Sequence, residues 1–332
     1  MNKEIDRIII DSRGTERKIQ KTPTQLVREQ FPPEKLIETP TGKHYVDWRR
    51  IVQLNIEATN LWKEHYPFVT EKDIKAEAEY PDKPQLYFFD ADWHIGAIGF
   101  AGKKFIEDID LLLTTPNCFM ATFGDEVDVG LFGKLAHLQA IPRYSQIYAM
   151  KDLTRELSGQ NPREKRIWQW ICAGNHTMTL FEKSGLLYEG YFQEAEIPMF
   201  PGMGVVNLKV GEQEYKGAFA HRFHMGRSRL NLTLMAKRII EFFSPDADFA
   251  ISAHYHNKAF EIFEKGQNER LAIATGSRRI DEVLFELSKG YGYPSEGGVC
   301  VLFYPDEKQM LPFARLRDGI KFLKAELKNG NK

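Results

Sequence analysis

Five times between residues 85 and 256 an apolar, strand-like run stops and a short polar cluster follows. Residues 85–89 lead into Asp92-Trp93-His94, residues 117–123 into Gly124-Asp125-Glu126-Val127-Asp128, and residues 167–173 into Gly174-Asn175-His176. Residues 215–220 lead into His221 and residues 248–252 into His254-Tyr255-His256. In open α/β sheets ligands bind beyond the carboxyl ends of the strands, so five such clusters can converge on one rim. In the first of them Asp92 and His94 are two residues apart, and in an extended chain they point to the same side and reach one point together. A carboxylate oxygen beside an imidazole suits a divalent transition metal. One such pair is more often a plain loop turn; its recurrence downstream is what makes a metal site the better reading.

At 332 residues with a net charge of -1, the chain is long enough for one large domain or two and gives no overall electrostatic reason to bind nucleic acid or an anionic membrane. Its three cysteines, Cys118, Cys172 and Cys300, are far apart and odd in number, which argues for a reducing compartment rather than a disulfide framework. Cys118 and Cys172 read as small core residues. The first 14 residues lack the apolar segment of a secretory signal, and no window approaches the roughly 18 apolar residues of a membrane span. A cytoplasmic protein with no membrane partner is expected.

Residues 1–80 are charged and poor in strand signals, and read as an N-terminal helical extension. Thr22 caps a short helix with Pro23 at its first position and Pro32-Pro33 after it, and a second helix is expected over 46–62. Such a pair admits a helix-turn-helix reading, with packing on the main domain preferred because local basic charge is modest. Residues 71–84 read as a solvated connector. From Gln85 apolar runs alternate with amphipathic helices over 103–113 and 144–157, the pattern of an α/β domain. After residue 205 short strands dominate, interrupted by one long helix over 228–243, which suggests a second sheet stacked on the first within a single domain of residues 81–315. Residues 316–332 read as a basic, frayed helical tail.

Five of the nine histidines lie in the polar clusters. Their order, Asp-x-His, Gly-Asp-x-x-Asp, Gly-Asn-His, His, His-x-His, resembles the calcineurin-like metallophosphoesterases over residues 85–276. The resemblance implies a four-layer α-β-β-α sandwich, two stacked mixed sheets flanked by helices, with two divalent metal ions at the sheet edge. It assigns Asp92, His94 and His256 to the first ion, Asn175, His221 and His254 to the second, and Asp125 to a bridge between them. It also implies a catalytic role for His176, facing the substrate to protonate the departing oxygen. Asp128 is expected to steady the site through a hydrogen bond rather than bind metal. Manganese leads among the metals, and iron, zinc, nickel or cobalt suit the same donors.

Two positions depart from the family. Thr177 stands where an acidic residue usually follows Gly-Asn-His, and Val129 stands where the Ser/Thr protein phosphatases carry arginine, so a protein phosphatase is not expected. Arg222, His224, Arg278 and Arg279 are candidate substrate contacts, since guanidinium groups suit bidentate phosphate binding. Two ions about 3.5–4 Å apart lower the pKa of a shared water and clamp the phosphoryl oxygens. The expected activity is phosphoester hydrolysis by a metal-bridging hydroxide, first of all on DNA, RNA or a nucleotide as a phosphodiesterase, helped by the N-terminal helices and the high aromatic content. A small-molecule phosphomonoesterase is the alternative, and a non-catalytic scaffold ranks third.

Overall fold

A computed structural model describes residues 5–10, 16–20, 52–53, 56–57, 69–128, 140–159, 165–177, 192, 195–223, 231–266, 268–279 and 295–329. The chain forms two compact units, Met1–Pro67 and Phe68–Lys332.

In the first unit β1 (Ile5–Ile10) pairs antiparallel with β2 (Glu16–Gln20). The extension therefore opens with a strand pair where only helices were expected. The β-branched run Ile8-Ile9-Ile10 and the Gly14-containing connector carry that signal. Residues 52–53 and 56–57 are helical, inside the helix expected over 46–62. The helix expected after Thr22 lies outside the described residues.

The second unit begins with β3 (Glu71–Lys75) and continues through β4 (Gln85–Asp90), α1 (Gly102–Thr114), β5 (Cys118–Thr122), α2 (Arg143–Leu157), β6 (Trp168–Cys172) and β7 (Met199–Phe200). Then come β8 (Met203–Val210), β9 (Gln213–Ala220), α3 (Leu234–Phe242), β10 (Phe249–Ser252), β11 (Ala259–Lys265) and β12 (Asn268–Ala274). It ends with β13 (Val299–Phe303), β14 (Met310–Phe313) and α4 (Leu316–Asn329). The strands form two six-stranded sheets, ordered β14-β13-β4-β5-β6-β7 and β11-β12-β10-β9-β8-β3. Both are mixed: β4, β5, β6 and β7 run parallel, as do β9, β10 and β12, with antiparallel neighbours outside them.

Burial explains the layering. Every residue of β4 is buried, as a strand covered on both faces requires. Its alternate residues Tyr87 and Phe89 join Phe119, Trp170, Phe219, Phe249 and Phe303 in the space between the sheets. Leu86 and Phe88 face the other way, onto Phe105, Ile109 and Leu112 of α1 and Ile320 and Leu323 of α4. On the far side α3 lays Ala236, Ile239 and Ile240 over Ala218, Ala220, Ala250 and Ala272, small side chains that let a helix close on the sheet. The result is the four-layer α-β-β-α sandwich expected of the calcineurin-like metallophosphoesterases.

Two expected boundaries move. Residues 71–84 are no plain connector, because β3 pairs in parallel with β8, Ile74 opposite Leu208. Only Ile74 of β3 is buried while Glu71, Lys72, Asp73 and Lys75 are exposed, so the apolar alternation is lost and the charges guard a sheet edge. Residues 316–329 are no frayed tail either. Leu316, Ile320 and Leu323 are buried, with Leu327 packed beside them, and this helical spacing makes α4 part of an outer layer. The expected long helix over 228–243 is observed as α3 from Leu234. All three cysteines are free and buried. Among the described residues no helix is long and apolar enough to cross a membrane.

Candidate metal centre

Register brings the five polar clusters together. Asp90 of β4 lies opposite Thr122 of β5, and Thr122 opposite Ile171 of β6, so these strands end at one level. In the second sheet Ser252 of β10 lies opposite both Ala220 of β9 and Ala274 of β12. The loops beyond these ends carry the candidate ligands. They are tied across strands by Asp92 N–H donating to Gly124 O (2.8 Å), His94 N–H to Asp125 O (2.9 Å) and His221 N–H to Gly202 O (2.9 Å).

The backbone of these loops is unusual. Asp92, His94, Asp125, His254 and His256 all have φ between 50° and 72°. For a residue with a side chain this left-handed region costs about 1 kcal/mol or more, which the surrounding hydrogen bonds must hold in place. Each such residue turns the chain sharply as it leaves its strand. Gly124, at φ 94°, packs directly on Gly174, and a Cβ on either would overlap the other turn, 2.5 Å from Gly174 Cα in one case and 2.1 Å from Asp125 Oδ1 in the other. Glycine at 174 is thus demanded by lack of space beside Asp125.

Among the described residues three donor groups result; one, His94 with Asp128 and His176, is held together by hydrogen bonds to residue 128, and the other two share Asp92. Of these two, Asp92, His94 and His256 form the first and Asp92, Asp125, His221 and His254 the second, with ligand atoms of each group within 4.8 Å of one another. In the first, His94 Nε2 is 3.4 Å from His256 Nε2, which is 3.4 Å from Asp92 Oδ1. In the second, His221 Nε2 is 3.2 Å from Asp125 Oδ2. The inward atom of the Asn175 amide lies 2.9 Å from His221 Nε2, 2.9 Å from His254 Nδ1 and 3.2 Å from Asp125 Oδ2. The carboxylate common to both groups is Asp92; Asp125, expected to bridge, gives Oδ2 to the second group and accepts the His176 N–H at Oδ1 (2.8 Å).

These residues fit divalent cations. Asp92 Oδ1 is fully buried without a hydrogen-bond partner, a costly state for a carboxylate oxygen unless a cation meets it. Hydrogen bonding to Asp125 Oδ2 and His254 Nδ1 would turn the Asn175 amide nitrogen inward, whereas a cation between these atoms favours the oxygen. Mixed nitrogen and oxygen donors suit first-row transition metals.

The surrounding groups are oriented in the way ligands need. His94 Nδ1 lies 3.1 Å from Asp128 Oδ1, so Nδ1–H donates to the carboxylate and Nε2 turns to the cluster. His221 Nδ1–H donates to Phe123 O at 2.6 Å, which aims its Nε2 inward as well. His176 Nδ1–H donates to the backbone carbonyl of Asp128 at 2.8 Å. That bond orients the ring in place of the acidic neighbour whose position Thr177 occupies.

Electrostatics separate the two histidines of the second group. Burial opposes charge on His221, but the Asp125 carboxylate outweighs it and the imidazole is pushed up to about 9. Burial, joined by the charge on His221, pushes His254 down to about 4. Burial also works against ionised Asp92 and Asp125, yet the neighbouring His256 and His221 respectively hold both carboxyls below their ordinary value. Near neutral pH a cation must therefore displace a proton from His221 and none from His254. Uptake should release about one proton, and apparent affinity should rise by up to about tenfold per pH unit, levelling off near pH 9. Calorimetry of Mn²⁺ binding in buffers of different ionisation enthalpy measures that proton, and a pH-independent affinity between 6 and 8 would contradict the pairing.

The candidate substrate contacts fare unevenly. Arg278 is 1% exposed and bonded to Asp90 and Asp108, so it cannot meet a substrate. Arg279 is also buried, its Nη1 3.5 Å from Asp128 Oδ1. Arg222 is exposed beside His221, and His224 and Val129 lie outside the described residues. Sequence reasoning passed over Glu126, which is fully buried and accepts the Gly124 N–H at 3.2 Å. Its one signal was an acid inside the Gly-Asp-x-x-Asp turn.

No protein-family model matches the sequence, and no curated protein does. Among solved structures the chain is similar to Vps29 of Chaetomium thermophilum, at 15% identity over 69% of this chain and 95% of that one, with a TM-score of 0.31. It is similar to a metallophosphoesterase from Sphaerobacter thermophilus, at 14% identity over 74% and 95% of the two chains, TM-score 0.34. A third is the Pseudomonas putida nuclease MPE, at 12% identity over 68% and 87%, TM-score 0.31. At such values the functional case rests on the donor geometry alone.

Proposed function

We infer that this chain is a calcineurin-like metallophosphoesterase that hydrolyses phosphoesters with two divalent ions. One observation carries the reading: seven side chains from five loops turn their donor atoms onto two adjoining points, Asp92 Oδ1 and the Asn175 amide among them. When bound, such a pair of ions supplies an activated water and a clamp for the phosphoryl oxygens. Asp92, His94 and His256 would hold one ion and Asn175, His221 and His254 the other, with Asp125 as the carboxylate between them. Asp128 fixes the ring of His94 and, through its carbonyl, that of His176. His176 can then present Nε2 to the departing oxygen and give it a proton.

For the substrate we favour a phosphodiester of a nucleotide or nucleic acid over a small phosphomonoester. Exposed Arg222 beside His221 supports an anionic ligand in either case. Aromatic content no longer speaks for an extended substrate, because Tyr87, Phe89, Phe119, Trp170 and Phe219 are buried between the sheets. With Mn²⁺, bis-nitrophenyl phosphate should turn over at least about tenfold faster than nitrophenyl phosphate, as 1.4 kcal/mol of transition-state preference would give. DNA, RNA and cyclic nucleotides in the same assay name the diester. The opposite order assigns a phosphomonoesterase. Two bound ions with no turnover of any substrate would point to a scaffold.

A further inference from the structure

Arg278 was expected at the substrate and lies instead beneath the ligand loop. Its Nε and Nη2 donate to Asp90 Oδ2 at 2.9 and 2.8 Å, and its Nη1 donates to Asp108 Oδ2 at 2.7 Å. Asp90 closes β4, two residues before Asp92; Asp108 belongs to α1 and also pairs with Lys104. The same Asp90 oxygen accepts Trp93 Nε1–H at 2.9 Å. The backbone of the arginine is engaged too: its N–H donates to Asp92 O at 3.0 Å, beside the Ser277 hydroxyl at 2.7 Å, and its carbonyl accepts the Ala101 N–H at 2.7 Å. One residue thereby ties a strand end, a helix and a neighbouring turn to Asp92-Trp93-His94, where Asp92 and His94 are both held at φ 50°.

We propose that Arg278 is a positioning residue for the first cation, its buried fork on Asp90 and Asp108 holding the Asp92-Trp93-His94 loop in the left-handed turn that aims Asp92 and His94 at His256. The inference rests on the two-ion reading. A lysine keeps the positive charge but has a single nitrogen, so it cannot reproduce the rigid planar fork that bonds Asp90 twice and Asp108 once from three nitrogens. Arg278→Lys thus leaves the local charge balance unchanged and tests geometry alone. Without the fork Asp108 keeps only Lys104 and Asp90 only the Trp93 indole, the tie between β4 and α1 is lost, and Asp92 and His94 would lose aim together.

The test is Mn²⁺ titration of the full-length protein, followed by electron paramagnetic resonance. In a His221→Ala background the remaining ion reports the first position, and in a His256→Ala background the second. Adding Arg278→Lys should weaken Mn²⁺ at least about tenfold in the first background and less than about threefold in the second, a difference of 0.7 kcal/mol or more by the conversion of 1.4 kcal/mol per tenfold. Equal loss in both backgrounds, or none, overturns the proposal. If Arg278→Lys does not fold, Asp108→Asn, which removes one arm of the fork, is held to the same criterion; if neither variant folds, the network is structural for the whole unit and the proposal is overturned. Failure of the two-ion reading looks different, because the unsubstituted protein would then bind no stoichiometric Mn²⁺.

Discussion

Asp125→Asn should strip both cations from the protein and lower phosphoester hydrolysis by at least about 10³-fold, since an activated water and a phosphate clamp are lost together. The carboxylate is 1% exposed, with Oδ2 toward His221 and Asn175 and Oδ1 on the His176 N–H. Replacing an oxygen by an amide nitrogen removes the negative charge, offers a donor where a cation needs a lone pair, and disturbs the turn that carries Asn175 and His176. Asp92→Asn is the matching control, because Asp92 belongs to both donor groups. Metal analysis after gel filtration should find less than half an ion per chain in Asp125→Asn and about one in Asp92→Asn if Asp125 is the bridge that the family resemblance implies, even though Asp92 is the carboxylate common to both donor groups. The reverse pattern would transfer the bridge to Asp92. A second readout needs no metal: without the Asp125 charge, His221 loses the partner that raises it, and its imidazole should titrate well below the value of about 9. An unchanged His221 titration would show that Asp125 does not govern this group.

The strands that carry the site were legible because burial on both faces writes a continuous apolar run, and the rim that follows must be polar. Residues 85–89 and 117–123 of the sequence reading thus fall on β4 and β5 within two residues. Elements at the margins were not. β3 has one buried residue, β7 is two residues long, and β14 contains Pro312, so none repeats long enough to show a period. The basic character of residues 316–329 hid the stripe of Leu316, Ile320 and Leu323, which is visible only at helical spacing.

For the candidate site, residue types and order named the candidate donors, and the fold brings the ligand atoms of each group within 4.8 Å of one another. What the letters could not carry was direction. Arg278 and Arg279 follow the Gly276-Ser277 turn and read as phosphate ligands, but the turn bends Arg278 inward, where Asp90 and Asp108 are already waiting. Pairing of residues 170 to 188 positions apart is a long-range fact with no local signature. The reason for Gly174 was hidden in the same way. A Cβ there would stand 2.1 Å from Asp125 Oδ1, a neighbour that only the fold supplies.

His176→Ala should retain both cations and slow hydrolysis by about 10²–10⁴-fold for esters with poor leaving groups, the range for loss of a positioned general acid. The ring touches the centre without being built into it: its Nδ1–H is committed to the Asp128 carbonyl at 2.8 Å, and its ring centre stands 4.9 Å from that of His94. A carbonyl can only accept, so the neutral ring carries its proton on Nδ1 and a second proton adds at Nε2. A good leaving group such as nitrophenolate departs without that proton, whereas an alkoxide does not. The rate of the variant should therefore depend more steeply on leaving-group pKa than that of the unsubstituted protein, with the two lines meeting at the most acidic phenols. Parallel lines would mean that His176 acts on every ester alike, as a phosphate contact does, and the acid role would have to pass to another group. Because the orienting bond comes from the backbone of residue 128, Asp128→Asn should keep the shallow slope of the unsubstituted protein while weakening metal through His94, and that separates the two functions of one short turn.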